Sequence, residues 1–214
     1  MTATVTIYSD IHCPWATLTV HRLRRARDAN GLDVVFDPRA WPLELVNSHG
    51  TPRDTVETET AVLAQHEEEL FSRFRGDSWP SSFMPAFETV AAARRALGVP
   101  AAEDVDYALR LAFFRDSADL SVRSAIAEAV QASGVDAEAV MKVWDREPVR
   151  ADVLDDYARS AELPIQGSPQ IFWPGGETTH NPGMTDHEWV RGIPRLRSVD
   201  GDAVERLLLK HIAA

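Results

Sequence analysis

The one cysteine of the chain, Cys13, stands in the stretch Ser9-Asp10-Ile11-His12-Cys13-Pro14-Trp15-Ala16. A cysteine followed three residues later by another is the usual dithiol redox pattern, but the fourth place here is Ala16, so one thiol is left without an internal partner. The alternating run Thr4-Val5-Thr6-Ile7-Tyr8 predicts a strand, Asp10 to Cys13 a short loop, and Pro14 the first turn of a helix. A thiol at a helix N-terminus meets unpaired backbone N–H groups and the positive end of the helix dipole, both of which favour thiolate. Cys13 is therefore expected to ionise readily and to serve as both nucleophile and leaving group in disulfide exchange. With no second thiol it cannot resolve its own mixed disulfide. The chemistry expected is monothiol: exchange with an external thiol, or attack on a small electrophile. The competing reading is a small buried apolar side chain, the common fate of a free cysteine.

The neighbours of Cys13 admit two readings each. His12 could stabilise a thiolate as imidazolium or point into solvent. Asp10 could tune the pocket as a buried carboxylate or act as a turn or capping acid, the commoner role. Trp15 could wall a substrate site or simply pack, as could Trp41, Trp79, Trp144, Trp173 and Trp189. Other constellations are weaker. His180 and His187 flank a turn-rich stretch with Pro182 and Gly183 and lack ligand spacing, so no metal site is expected. Glu67-Glu68-Glu69 and the set Arg22, Arg24, Arg25 and Arg27 read as solvated helix faces, and Gly175-Gly176 reads as a hairpin turn. No Gly-x-Ser-x-Gly elbow is present.

These residues need elements to hold them. The first helix carries Ala16, Val20, Leu23 and Ala26 at three- and four-residue steps and stops at Asn30-Gly31; residues 33–37 predict a second strand ending at Pro38. Residues 58–162 read as amphipathic helices. One holds Leu63, His66, Leu70 and Phe74; another Phe87, Val90 and Leu97, closing at Gly98; a third Val105, Leu109 and Phe113. Ser121 and Asp136 are candidate N-caps for two more, and a last one holds Val153, Leu154 and Tyr157. Strand signals return at Gln170-Ile171-Phe172-Trp173, a turn at Pro174-Gly175-Gly176, and Glu177 to Asn181, before a final helix with Val204, Leu207, Leu208 and Ile212. Three stretches follow: residues 1–57 and 163–214 as two parts of one sheet-bearing domain, and residues 58–162 as a helical subdomain between them.

A chain of 214 residues can bury a core without covalent staples. The formal net charge of −11 opposes nucleic acid or anionic membrane as a partner. A lone cysteine and an N-terminus with neither a basic start nor a long apolar run predict a cytoplasmic protein.

Taken together, Tyr8-Ser9-Asp10, then Cys13-Pro14-Trp15, the long helical middle and Gly167-Ser168-Pro169 before the returning hairpin resemble the DsbA-like branch of the thioredoxin superfamily. The likeness is to FrnE-like proteins, kappa-class glutathione transferases and hydroxychromene-carboxylate isomerases, and it spans nearly the whole chain. It implies an α/β, thioredoxin-like fold with a large all-helical insertion. It also implies a cis-proline at Pro169 facing the Cys13 loop, and a Ser168 backbone that pairs with a substrate or thiol cofactor. FrnE-like oxidoreductases have cysteine at the place of Ala16, and the transferase and isomerase relatives commonly have serine at the place of Cys13. The resulting expectation is a thiol-disulfide oxidoreductase working through Cys13, with Asp10, His12, Pro14, Trp15 and Ala16 around it and Ser168 and Pro169 on the binding side. No tightly bound cofactor is expected; a low-molecular-weight thiol or a disulfide would be the partner. The alternatives are a thiol-dependent transferase or isomerase and a non-catalytic binding module.

Overall fold

The computed structural model describes residues 2–213. Strand β1 (Ala3–Ser9) buries Val5 and Ile7. It passes through the Asp10–Cys13 loop into helix α1 (Pro14–Asn30), which ends on Gly31 in the left-handed region at φ 59°. Strand β2 (Val34–Ala40) pairs parallel with β1 and runs through Pro38, where the sequence predicted its end. The strand tolerates proline because it lies at the sheet edge, where the missing N–H breaks no ladder bond. On either side, the outward amides of Phe36 and Ala40 are taken by Glu103 Oε2 at 2.8 Å and Asp156 Oδ2 at 3.2 Å.

The helices that follow are α2 (Leu43–Val46), α3 (Arg53–Leu63), α4 (Met84–Leu97), α5 (Val99–Phe114), α6 (Arg123–Ala132), α7 (Ala137–Arg146) and α8 (Arg150–Ser160). The boundary drawn at residue 57 falls inside α3. The helix expected over Leu63 to Phe74 does not form. Instead α3 stops at Leu63, and the chain crosses the insertion with only a single 3-10 turn, Glu68–Leu70, and the Ser72 N–H bonded to the Phe114 carbonyl at 2.8 Å. Phe71 and Phe74 enter the core from this segment. Asp136 caps α7 as predicted, accepting the Ala139 N–H at 3.0 Å, whereas the Ser121 hydroxyl is bonded to Asp119 and α6 starts after Val122 without a side-chain cap.

Strands β3 (Gln170–Phe172) and β4 (Thr178–His180) return the chain to the sheet, in the order β2-β1-β3-β4 with β3 antiparallel to β1. Helix α9 (Ala203–Ile212) brings Val204 and Leu208 onto the cluster formed by Val5, Ile7, Val20, Leu23 and Ile171. A larger cluster gathers the helical region around the start of α1. A second hairpin, β5 (His187–Val190) with β6 (Ile193–Leu196), was not predicted; Arg191 and Gly192 turn it at φ 52° and 79°.

The arginines of α1 correct their reading as a solvated face. Arg24 and Arg27 both reach Glu103 on α5, and Arg22 and Arg25 both reach Glu67, so the first member of the triple glutamate is engaged as well. They form a charged seam between α1 and the insertion. Among the described residues, no helix is long and apolar enough to cross a membrane.

Candidate active site

Cys13 is the N-cap residue of α1, in extended conformation just before Pro14. Its Sγ lies 3.3 Å from the carbonyl oxygen of Ser168, and the Ser168–Pro169 peptide is cis. Residues far apart in sequence meet here because β1 and β3 are sheet neighbours: each strand delivers its loop to the same end. The Ser168–Pro169 side is firmly tied. The Asp10 N–H donates to Ser168 Oγ at 2.9 Å, and the Asn181 N–H donates to the Pro169 carbonyl at 3.2 Å. The His180 ring places Nδ1 2.9 Å from that same carbonyl and covers Gly167, where an added Cβ would come within 2.7 Å of the ring.

The sulfur is not ionised as predicted. Cys13 is only 5% exposed, and burial pushes its thiol up to about 12. The Glu59 carboxylate pushes the same way and Asp10 adds to it, against hydrogen bonds from the Ser168 side chain and the Ala16 N–H. The helix terminus is present, but removing a charge from water costs more than two hydrogen bonds return. Burial thus follows the competing reading of Cys13, although the sulfur faces Ser168.

His12 follows neither expectation. It is 6% exposed, stacked on Phe83 at 4.0 Å, with Phe113 edge-on at 5.0 Å and Trp79 at 5.6 Å. Burial lowers it to about 3, so the ring is neutral at physiological pH, and Nε2 has no hydrogen-bond partner among the described residues. Asp10 fills both of its roles. It is a turn acid, accepting the His12 N–H on Oδ1 and the first amide of α2, Leu43 N–H, on Oδ2, each at 2.5 Å. It is also buried, which raises it to about 6 against those two N–H groups and Arg110.

Pro14 is buried in the first turn of α1, and Ala16 is a fully buried methyl in the core. Trp15 is buried too. Its indole N–H donates to Glu59 Oε1 at 2.9 Å, and His187 stacks on the ring at 4.9 Å. Helix α3 and the β5–β6 hairpin are therefore both attached to the opening turn of α1.

Two residues that hold the site escaped the sequence reading. Arg110 on α5 is 1% exposed and grips Asp106 with Nε at 2.8 Å and Nη2 at 3.0 Å. It also donates to the Asp10 carbonyl at 3.0 Å and to Ser9 Oγ at 2.8 Å, fixing the Cys13 loop from the insertion. The signal was present: Asp106 and Arg110 stand four apart on a helix, interleaved with the buried Val105 and Leu109. Glu59, in Thr58-Glu59-Thr60, offered no signal. An apolar cavity of about 280 Å³ is lined by Phe71, Phe74, Phe113 and Phe114 together with Trp79 and Thr60; His12 does not line it but packs against the Trp79 and Phe113 rings that do.

The geometry agrees with what comparison finds. Among curated proteins none matches the chain. A cytosolic disulfide reductase, DsbM, from Pseudomonas aeruginosa superposes with a TM-score of 0.58 at 20% identity, over 97% of this chain and 97% of that one. A 2-hydroxychromene-2-carboxylate isomerase superposes with a TM-score of 0.60 at 16% identity, over 82% of this chain and 87% of that one. At these identities the likeness shows the fold, a thioredoxin-like sheet with an inserted helical region. The sequence model of the DSBA-like thioredoxin domain matches residues 4–191, the whole of the sheet and insertion that bring Cys13 to Pro169, and the chain belongs to that family.

Proposed function

We propose that the protein is a thiol-disulfide oxidoreductase acting through Cys13 alone, in a reducing compartment such as the cytoplasm. The observation that carries this reading is the 3.3 Å approach of Cys13 Sγ to the Ser168 carbonyl beside Pro169, at the first turn of α1. The resting thiol is protonated and covered. On this reading Trp15, with the Glu59 and His187 that hold it, shifts to uncover the sulfur, after which hydration lowers the cost of the thiolate and the helix terminus favours it. The exchange then needs an external thiol, because Ala16 supplies none. A structure of the P. aeruginosa reductase with GSH makes glutathione one of the small thiols to try.

Intact-mass spectrometry of the protein exposed to small disulfides and then to reducing thiols tests the reading. A single adduct on Cys13 that thiols remove is the expected result; no adduct under any condition overturns it. A second reading, a thiol-dependent transferase or isomerase, is favoured by the aromatic cavity of about 280 Å³ whose Trp79 and Phe113 walls pack against His12, and by a sulfur that stays protonated. Non-covalent retention of a small thiol without a mixed disulfide would select it. A Cys13→Ala protein that behaves unchanged in the cell would select a non-catalytic binding role.

A further inference from the structure

The charges around Cys13 are one-sided. On α3, Glu59 gives Oε1 to the Trp15 indole, and its Oε2 has no hydrogen-bond partner among the described residues. Asp10 has both oxygens taken by backbone amides, and Glu44 on α2 accepts the Ser82 hydroxyl at 3.0 Å and the Phe83 N–H at 3.1 Å. Nearby cations are already engaged. Arg110 holds Asp106, Arg53 on α3 holds Glu57 at 2.8 Å, and on the hairpin Arg197 holds Glu188. Arg195 of β6 is exposed and stands in register opposite Glu188, while His187 lies on Trp15 with Nδ1 3.0 Å from the Met184 carbonyl. His12 contributes no charge. Glu59 is thus the acid beside the opening turn of α1 that keeps an oxygen free of hydrogen bonds; burial raises it, against the Trp15 indole and the nearby His187 ring.

A disulfide entering this site brings its own charge into a poorly hydrated setting, where Coulomb terms are larger than in water. An anionic molecule is repelled by Glu59 and by the thiolate it must meet. A cationic one is attracted by both and offsets the charge that disfavours thiolate. Resting on the exchange reading above, we propose that Glu59 selects the small co-substrate of Cys13 for positive charge, favouring aminothiols and their disulfides over anionic thiols such as glutathione. In the reaction Cys13 gives its proton to solvent and its thiolate attacks one sulfur of the aminothiol disulfide. The S–S bond breaks, and the departing half leaves as a thiolate that takes up a proton. A second small thiol then attacks the mixed disulfide, restoring Cys13 and releasing a new disulfide, so no outside oxidant is needed.

The test follows adduct formation by intact-mass spectrometry at pH 8 with cystamine and with oxidised glutathione. Each rate is divided by that of the same disulfide with a small neutral thiol. The protein is expected to prefer cystamine by about tenfold or more. Glu59→Gln, which retains an oxygen for the Trp15 indole, is expected to shrink the preference to within about threefold. Raising salt from about 0.05 to about 0.5 M should shrink it in the unaltered protein, a readout that needs no variant. Equal normalised rates, or a preference that neither Glu59→Gln nor salt reduces, would overturn the inference while leaving the exchange reading in place. No adduct with either disulfide in either protein removes both.

Discussion

On one side of Cys13 the wall is Ser168 and Pro169, tied to the sheet by the Asp10 and Asn181 amides and backed by His180 over Gly167. Two residues on from Cys13, in the opening turn of α1, the buried Trp15 is held by one hydrogen bond from its indole and one stacked imidazole. The Ser168–Pro169 wall is part of the sheet. Trp15 hangs on α3 and on a two-stranded hairpin whose Trp189, Val190 and Ile193 lie in solvent. Their electrostatics differ too: the Ser168 side chain favours thiolate, and Glu59 opposes it. The contrast separates two tasks. The sheet sets where the sulfur is; burial, with the Glu59 charge of α3 added, keeps it protonated.

The largest effect should come from attacking the fixed side. Arg110→Met leaves Asp106 buried without its cation and unpins the Asp10 carbonyl, and should cost about 3–5 kcal/mol in urea unfolding. A loss below about 1 kcal/mol would mean that the insertion does not hold the Cys13 loop.

Next in size is a pH effect at His12. Its value falls from 6.5 to about 3 on folding, so the stability tied to its neutral form is present above pH 6.5 and is lost as pH drops toward 3. Asp10 runs oppositely: its value rises from 3.8 to about 6, so its contribution is full below pH 3.8 and lost as pH rises through 6. His12→Phe, which can keep the stack on Phe83, removes only the first slope. The variant should gain on its parent by a few kcal/mol between pH 7 and pH 4 in urea midpoints, and parallel pH curves would contradict this assignment.

The smallest effect sharpens the contrast from the loose side. His187→Ala should speed labelling of Cys13 by iodoacetamide severalfold, while stability changes by no more than about 1 kcal/mol. Unaltered labelling would show that the hairpin is not what covers the sulfur.

Local chemistry made much of this architecture legible. Alternation in β1, Pro14 at the start of α1, Gly31 and Gly98 at helix ends and Asp136 at a cap each act over a few residues, and each appears where the sequence put it. Pro38 misled because proline ends a central strand but not an edge one, and edge position is a property of the whole sheet. Ionisation of Cys13 and His12 was not legible for the same reason. Desolvation of the sulfur depends on distant elements, and the ring of His12 is enclosed by Phe83, Phe113 and Trp79 from separate segments. The arginines of α1 have the spacing of a solvated face, and only the arrival of Glu67 and Glu103 turns that face into a seam.

The closed margin of β2 bears on how this molecule can meet other chains. With the Phe36 and Ala40 amides consumed by carboxylates and Pro38 having none to offer, an incoming peptide finds no donor ladder along that border. Amyloid-like stacking and capture of a ligand by strand addition are both disfavoured there. A polypeptide substrate would have to be gripped through its side chains, or at the opposite border, next to β4.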